Sequence, residues 1–205
     1  MEKSRRKSDH YFSSQPRSEQ KLGVITTQLR GHVFEFLTSS SVFSKKRVDL
    51  GTRLLVESMS LPETGEVLDL GCGYGPVGIA AAKLHPSLQI TMTDVNERAV
   101  WLAKENSKRN YVKNTVPLHG FLYQPVEKRQ FNTILSNPPV SAGRHVLTPI
   151  VQGAPSHLRD QGSFQIVIKS RIGGRWLLGE LEKTFNHVEV LARKSGYRVL
   201  LSEKS

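Results

Sequence analysis

The stretch VLDLGCGYGPVGIAAAKL, residues 67–84, decides the fold. The short apolar strand VLDL runs directly into a turn with glycine at alternate positions, and an alanine-rich helix follows. A strand that enters a helix through a glycine-rich turn is typical of open α/β sheets, which bind ligands at the carboxyl ends of their strands. We therefore expect a ligand site at this turn.

Strands and helices alternate beyond this turn. Further strands are expected at LQITMTD, TVPLHG, FNTILSN, SFQIVIK, HVEVLA and GYRVLLS. Asp49 and Asn96 are suitable helix N-caps, and a helix from Val146 to Leu158 is expected to end at residues 160–162. The alternation predicts an α/β fold with a doubly wound, mostly parallel seven-stranded sheet. The link Arg193–Gly196 is too short for a crossover helix, so the last strand should be antiparallel.

The N-terminal part of the chain differs from this pattern. Residues 1–21 are polar and basic, and we expect them to be flexible. Two β-prone runs follow around Arg30 and Gly31, which predicts a β-hairpin extension over residues 22–45. Residues 46–205 would then form the core of a single domain that spans residues 22–205.

Composition excludes several classes of protein. No apolar run approaches the length of a membrane helix, and the basic N-terminus lacks the apolar segment of a secretory signal. One cysteine, Cys72, permits neither an internal disulfide nor a cysteine-rich zinc site, and the histidines lack metal-ligand spacing. We expect a cytoplasmic protein without a metal or a membrane partner.

Positive charge lies on both flanks of the chain. Residues 1–50 carry ten Lys and Arg against five Asp and Glu, and residues 141–205 have the same balance. The centre is nearly neutral, with nine against eight. The flanks favour a polyanion such as nucleic acid, although a merely solubilising surface would have the same composition.

The glycine turn admits two cofactors. Gly73, Gly75 and Gly78 form a GxGxxG pattern, with Asp94 at the end of the next strand, as in dinucleotide sites. Asp69 would oppose the pyrophosphate of a dinucleotide, because it places an anion beside the helix N-terminus. The same anion favours a ligand with an ammonium or sulfonium group, such as S-adenosylmethionine. A dehydrogenase therefore remains the more distant alternative.

VLDLGCGYGPVGIAAA resembles motif I of class I S-adenosylmethionine-dependent methyltransferases, which have a Rossmann-like fold, and NPPV resembles the motif of their amino-directed members. HYFSSQP, LRGHVFEFLT, VFSKKRVDLGTRLLVE and GYRVLLS resemble the small-domain branch of rRNA guanine-N2 methyltransferases. The resemblance covers residues 10–202. It implies S-adenosylmethionine as the cofactor and RNA as the partner.

The resemblance also implies the cofactor-binding residues. They are Phe43, Ser44, Thr52, Asp69, Gly71, Cys72, Gly73, Gly75, Asp94, Val95, Gly120, Phe121, Leu122 and Asn137. Asp69 would face the methionine end and Asp94 the ribose hydroxyls. Many relatives have an acid near residue 120, where this chain has HGFLY, so adenine recognition would rest on backbone groups.

Asn137, Pro138, Pro139 and Val140 are the expected catalytic residues. The Asn137 side-chain oxygen and the Pro138 carbonyl can each accept an N–H bond from an exocyclic amine. NPPV alone could equally be a strand ending with an asparagine cap. Many relatives have an aromatic residue where this chain has Val140, so stacking on a base would come from elsewhere, with Phe34, Phe36 or Tyr11 as candidates.

The expected substrate is guanine N2 in small-subunit ribosomal RNA, bound in part by Arg144, Lys169 and Arg171. Those three cations could equally form a solvated rim. Another amine, such as adenine N6 or a protein glutamine, and a non-catalytic RNA-binding role are the alternatives. Either a monomer or a homodimer is compatible with the sequence.

Overall fold

The computed structural model describes residues 22–39, 47–139, 143–171 and 174–205. The strands in these ranges are β1 (Leu22–Leu29), β2 (His32–Ser39), β3 (Gly65–Leu70), β4 (Leu88–Asp94), β5 (Thr115–His119), β6 (Phe131–Ser136), β7 (Leu158–Lys169), β8 (Val188–Lys194) and β9 (Tyr197–Glu203). The α-helices are α1 (Leu50–Ser58), α2 (Pro76–Leu84), α3 (Glu97–Arg109), α4 (Arg144–His157) and α5 (Gly174–Thr184).

Seven strands form one sheet in the order β5-β4-β3-β6-β7-β9-β8. Strands β3 to β7 pair in parallel, and β9 runs antiparallel to both of its neighbours. Strands β1 and β2 form a separate antiparallel hairpin. The doubly wound fold, the antiparallel last strand and the N-terminal hairpin are confirmed. The division into a flexible segment and one domain stays a prediction, since residues 1–21 lie outside the described residues.

Two apolar cores cover the two faces of the sheet. Buried side chains of α1, α2 and α3 pack on one face, together with those of the hairpin. Helices α4 and α5 cover the opposite face, where Phe131 and Phe164 are fully buried. Burial on both faces agrees with the nearly continuous apolar runs of the central strands. The polar ends of the strands are thereby left to form the site.

Both predicted N-caps are present. The Asp49 carboxylate accepts hydrogen bonds from the backbone N–H groups of Gly51 and Thr52 at the start of α1. The Asn96 side chain accepts from Arg98 and Ala99 at the start of α3. Each cap satisfies N–H groups that the first turn of a helix leaves without partners.

Two buried asparagines, Asn106 of α3 and Asn110 directly after it, attach the hairpin to the core. The Asn106 amide donates to the Leu37 carbonyl at 2.9 Å, and its oxygen accepts from the Leu37 N–H at 2.6 Å. Asn110 makes the same pair of bonds with Glu35, at 2.7 and 3.1 Å. The amides thus replace a neighbouring strand along the edge of β2. Asn106 also donates to the Tyr74 carbonyl at 2.9 Å, which connects the hairpin to the glycine turn.

The predicted start of the strand after the fourth helix is wrong. The helix ends at His157, and the strand begins at Leu158 rather than after residues 160–162. Those residues instead interrupt the pairing of β7 with β6, and Gln161 has a φ of 61°. A Cβ on Gly162 would lie 2.8 Å from the Arg159 carbonyl oxygen, so the glycine suits the irregular strand. The turn signal was therefore a bulge, not a helix end.

Two-residue turns join both hairpins. Arg30 and Gly31 have φ values of 44° and 81°, and Ser195 and Gly196 have 49° and 80°. Two successive positive φ values define the turn that matches the twist of paired strands. Among the described residues, no helix has the length and apolar character needed to cross a lipid bilayer.

Candidate active site

A pocket lies at the carboxyl edge of the sheet, where the ends of the parallel strands meet. Its lining includes most of the predicted site residues in the described part of the chain: Thr52, Asp69, Gly71, Cys72, Gly73, Asp94, Val95, Phe121, Leu122, Asn137, Pro138 and Pro139. Gly75 and Gly120 do not line it. Phe43, Ser44, Val140 and Tyr11 lie outside the described residues.

The glycine turn presents bare backbone to the pocket. Gly71 and Gly73 have φ values of 78° and 57°, and a Cβ on either would meet nothing within 4 Å. The turn therefore leaves space for a ligand against the main chain. Gly75 has a different reason to be glycine. It caps α2 with a φ of 92°, and its Cβ would lie 2.9 Å from Ile79 Cδ1.

Asp69 is a buried carboxylate at the end of β3. Its Oδ2 accepts a hydrogen bond from the Gly78 N–H at 2.8 Å. Burial raises the pKa of Asp69 to about 7, and the nearby Asp94 charge adds to the rise, while the Gly78 bond opposes it. A cation in the pocket would favour the charged form of Asp69, since opposite charges attract strongly in a buried site.

Asp94 ends β4 and is held by two backbone groups. The Gly73 N–H donates to Oδ2 at 2.8 Å, and the Asn96 N–H donates to Oδ1 at 2.9 Å. Burial raises its pKa, and these two bonds partly offset the rise. Each carboxylate oxygen has a further lone pair, so the two oxygens can accept two adjacent hydroxyl groups.

The pocket beyond Asp94 is apolar. Phe121 and Leu122 line it after β5, and Val146 and Ile150 line it from α4. The carboxylates in the described lining are Asp49, Asp69 and Asp94, so none comes from the segment near residue 120. An aromatic ring could be sandwiched here by side chains, with hydrogen bonds left to backbone groups.

Asn137 follows β6 and its amide contacts the start of α1. Its Nδ2 donates to Thr52 Oγ1 at 2.7 Å and lies 3.4 Å from Asp49 Oδ2. Thr52 Oγ1 in turn donates a hydrogen bond to the same Asp49 oxygen. The sequence predicted Asp49 only as a helix cap. The three-residue spacing between Asp49 and Thr52 is a sequence signal for the hydrogen bond between them. It gives no signal for Asn137, which lies 88 positions from Asp49.

The prediction that Phe34 or Phe36 stacks on a base is wrong. Phe34 and Phe36 are 1% and 0% exposed and pack on each other in the core, so they cannot stack on a base. Tyr197 of β9 lines the pocket instead. Burial raises the pKa of Cys72, with the charges of Asp94 and Asp69 adding to it, so this thiol stays protonated and is no nucleophile.

The three predicted RNA-binding cations lie around the pocket rather than in its lining. Arg144 begins α4 and lies over the Trp176 ring, 5.3 Å from its centroid. Lys169 ends β7, with its Nζ 6.0 Å from the Tyr197 ring, and Arg171 is exposed just beyond. The described residues contain no cluster of His, Cys, Asp and Glu that could hold a metal ion.

Known proteins share both the sequence and the fold. The family model "methyltransferase small domain" matches residues 33–201. The chain is 39% identical to the uncharacterized protein YbxB of Bacillus subtilis over 96% of this chain and 99% of that protein. It is 31% identical to ribosomal RNA small subunit methyltransferase C of Haemophilus influenzae, over 97% of this chain and 61% of that protein.

A solved structure resembles the whole described fold. The 16S rRNA N2 G1207 methyltransferase of T. thermophilus, in complex with AdoMet and guanosine, superimposes with a TM-score of 0.80. The two chains are 25% identical over 93% of this chain and 52% of that one, so this chain spans about half the length of that protein. Because the family model covers the glycine turn, Asp94 and Asn137 together, this chain belongs to the methyltransferase small domain family.

Proposed function

We propose that this methyltransferase modifies an exocyclic amine of RNA, namely guanine N2 of small-subunit ribosomal RNA. S-adenosylmethionine is its cofactor. The observation that carries the proposal is the Asn137 amide, which is held by Thr52 in the same pocket as Asp69 and Asp94. A pocket with two buried carboxylates and one fixed amide suits a cationic nucleoside cofactor and a planar amine.

The order of the strands supports a position for each part of the cofactor. Along the carboxyl edge, β5, β4, β3 and β6 follow one another at the usual spacing of about 4.8 Å. The adenine would therefore lie at Phe121 and Leu122, the ribose hydroxyls at Asp94, and the methionine at Asp69. When bound, the cofactor supplies an activated methyl group. Gly71 and Gly73 leave room for it along the main chain.

Asn137 and Pro138 would hold the amine for attack. The lone pair of the guanine amine is delocalised into the ring and is poorly nucleophilic. The Asn137 Oδ1 and the Pro138 carbonyl would each accept one N–H bond, which favours a pyramidal nitrogen with its lone pair aimed at the methyl group. Such positioning lowers a barrier by on the order of several kcal/mol. The proton leaves after the nitrogen becomes cationic, so no strong base is required.

A cationic surface beside the pocket supports RNA as the substrate. Lys169 is paired with Tyr197 in the sheet, and Arg193 and Lys194 pair with Arg198 and Tyr197 in the neighbouring hairpin. Within the described residues, no carboxylate forms a salt bridge with these four cations. We propose that they, with Arg144 and Arg171, bind RNA phosphates, while the Tyr197 ring provides an aromatic wall for the base.

The names of the relatives support ribosomal RNA as the substrate, but the chain covers only part of their length. Proteins named ribosomal RNA small subunit methyltransferase C are 31% and 34% identical to this chain, in Haemophilus influenzae and Hamiltonella defensa. This chain spans 61% and 48% of their lengths, so their activity as whole proteins comes here as a proposal. Substrate docking would then rely on the hairpin, the cationic surface or the ribosomal subunit itself.

The test is methyl transfer from tritiated S-adenosylmethionine to total RNA and to ribosomal subunits that lack the modification, followed by nucleoside analysis. We expect label in N2-methylguanosine. Label in N6-methyladenosine would leave Asn137 and Pro138 as the acceptors of the amine N–H bonds and would identify adenine as the target base. Label in protein would identify a glutamine as the substrate. Cofactor binding without any transfer would overturn the catalytic proposal in favour of a non-catalytic RNA-binding role.

A further inference from the structure

We infer that Asp49 and Thr52 are positioning residues that fix which end of the Asn137 amide faces the substrate. This inference rests on the proposed function, because it concerns the group that would accept the N–H bond of the target amine. The two oxygens and the nitrogen that carry it are Asp49 Oδ2, Thr52 Oγ1 and Asn137 Nδ2. They form a chain of hydrogen bonds in the lining of the pocket.

The hydrogens in this chain can be assigned by counting donors. A carboxylate only accepts, and Asp49 Oδ1 already accepts from the N–H groups of Gly51 and Thr52 at 2.8 and 3.1 Å. Asp49 Oδ2 accepts the hydroxyl hydrogen of Thr52. A hydroxyl has one hydrogen, so Thr52 has none left to donate elsewhere.

The orientation of the Asn137 amide follows from that count. Thr52 Oγ1 can only accept from Asn137, so the amide atom that lies 2.7 Å away has to be the NH2 group. Asp49 Oδ2, which lies 3.4 Å from the same nitrogen, also only accepts. An amide orientation is normally inferred from its neighbours, and here both neighbours demand the same one.

The consequence is an oxygen that is available to the substrate. Within the described residues, Asn137 Oδ1 takes part in no hydrogen bond, and Asn137 lines the pocket. A reversed amide would present NH2 to the target amine, so two donors would face each other. Asp49 therefore determines that the oxygen of the Asn137 amide faces the substrate, without contacting the substrate itself.

Asp49→Asn separates this role from helix capping. Asparagine caps a helix about as well as aspartate, and its Oδ1 can keep the bonds from Gly51 and Thr52. Its NH2 group, however, would donate to Thr52 Oγ1. The released hydroxyl hydrogen would then point at Asn137, and the Asn137 amide would turn over.

The experiment compares Asp49→Asn, Thr52→Val and Thr52→Ser with the full-length wild type. We expect Asp49→Asn and Thr52→Val to lower kcat by about a hundredfold, the effect of removing one aligned polar group from a transition state. Thr52→Ser keeps the hydroxyl and should retain kcat within a few-fold. In Asp49→Asn, the cofactor Kd and Tm should stay near wild type, which a purely structural role would not predict.

A second measurement does not depend on activity. Nuclear Overhauser contacts between the Asn137 NH2 protons and the Thr52 methyl group should be strong in the wild type and several-fold weaker in Asp49→Asn. Wild-type kcat in Asp49→Asn, or unchanged contacts in that variant, would overturn the inference. If the wild type methylates no amine while the contacts behave as expected, the proposed function fails and the amide orientation stands.

Discussion

The glycine turn and the two carboxylates at the proposed cofactor end come from one continuous stretch, residues 67–96, whereas the proposed amine end draws on three distant parts of the chain, around Asp49, Asn137 and Tyr197. At the cofactor end, backbone N–H groups of Gly73, Gly78 and Asn96 hold two carboxylates. At the amine end, side chains hold one another, because Asp49 fixes Thr52 and Thr52 contacts Asn137. A binding site built on backbone depends on local conformation, and one built on side chains depends on tertiary assembly.

Asn137→Ala should have the largest effect, and it tests whether the two ends of the pocket act independently. The variant removes the oxygen that would accept the amine N–H bond, and we expect transfer to fall by about a thousandfold, the upper range for one aligned polar group. The cofactor Kd should stay within a few-fold, because Asp69 and Asp94 are held independently of Asn137. Single-turnover rates and calorimetric titration measure the two quantities.

Asn186→Ala is the matched control for that variant. Asn186 is exposed and lies just before β8, at the amino edge of the sheet, away from the pocket. We expect wild-type transfer and cofactor binding from it. Loss of cofactor binding in Asn137→Ala would show that the two ends of the pocket are not separable.

Asp94→Ala should weaken cofactor binding and have little effect on transfer at saturating cofactor, the reverse of Asn137→Ala. Removing the two oxygens that would accept the ribose hydroxyls should raise the cofactor Kd by about tenfold or more, since hydrogen bonds to a charged group are each worth about 1.5–3 kcal/mol. At saturating cofactor, the transfer rate should recover most of its wild-type value. Titration calorimetry gives the Kd, and a cofactor series gives the rate at saturation.

Asp160→Ala provides the control, because the Asp160 side chain is 89% exposed and remote from the pocket. An unchanged cofactor Kd in Asp94→Ala would mean that this carboxylate does not hold the ribose. Destabilisation is the competing explanation for a raised Kd. A Tm measured for each variant distinguishes it from loss of contact.

Sequence patterns predicted the cofactor end, which backbone N–H groups hold, better than the amine end, which side chains hold. The glycine turn, Asp69 and Asp94 are local in the chain, and each lies at the predicted strand end. The contact between Asp49 and Asn137 was missed because a capping aspartate gives the same local sequence signal whether or not a distant amide lies beside it. Phe34 and Phe36 were placed wrongly, since alternation in a hairpin cannot tell which face packs on α3.

Asp69 allows the cofactor end to be tested by pH. Its pKa is about 7 in the folded protein, against an ordinary value of 3.8 that the unfolded chain should have. Between these values the folded state holds a proton that the unfolded state has lost. The free energy of unfolding should therefore fall as the pH rises from 4 to 7, by up to about 1.4 kcal/mol per pH unit, and should level off above 7.

Cofactor affinity should change in the opposite direction. The charged form of Asp69 attracts a cation, so the affinity should rise about tenfold from pH 6 to pH 8, as expected for one ionisation centred near 7. Asp69→Asn cannot ionise, so it should remove the part of both pH dependences that comes from Asp69 and leave only the part from Asp94, whose pKa burial also raises. A wild-type affinity that is flat across this range would show that Asp69 does not face the positive end of the cofactor.

The smallest expected effect tests the substrate side, through Lys194→Gln at the end of β8, where Lys194 pairs with Tyr197. Losing one phosphate contact should weaken RNA binding by about threefold at moderate salt and reduce the slope of log K against log salt by nearly one. Lys128→Gln removes the same charge just before β6, at the amino edge of the sheet. Because the two variants have equal net charge, only a local phosphate contact predicts a difference between them. Equal salt slopes would reduce the cationic surface to a general solubilising charge, and a lower slope in Lys194→Gln alone would place RNA on the Tyr197 side of the pocket.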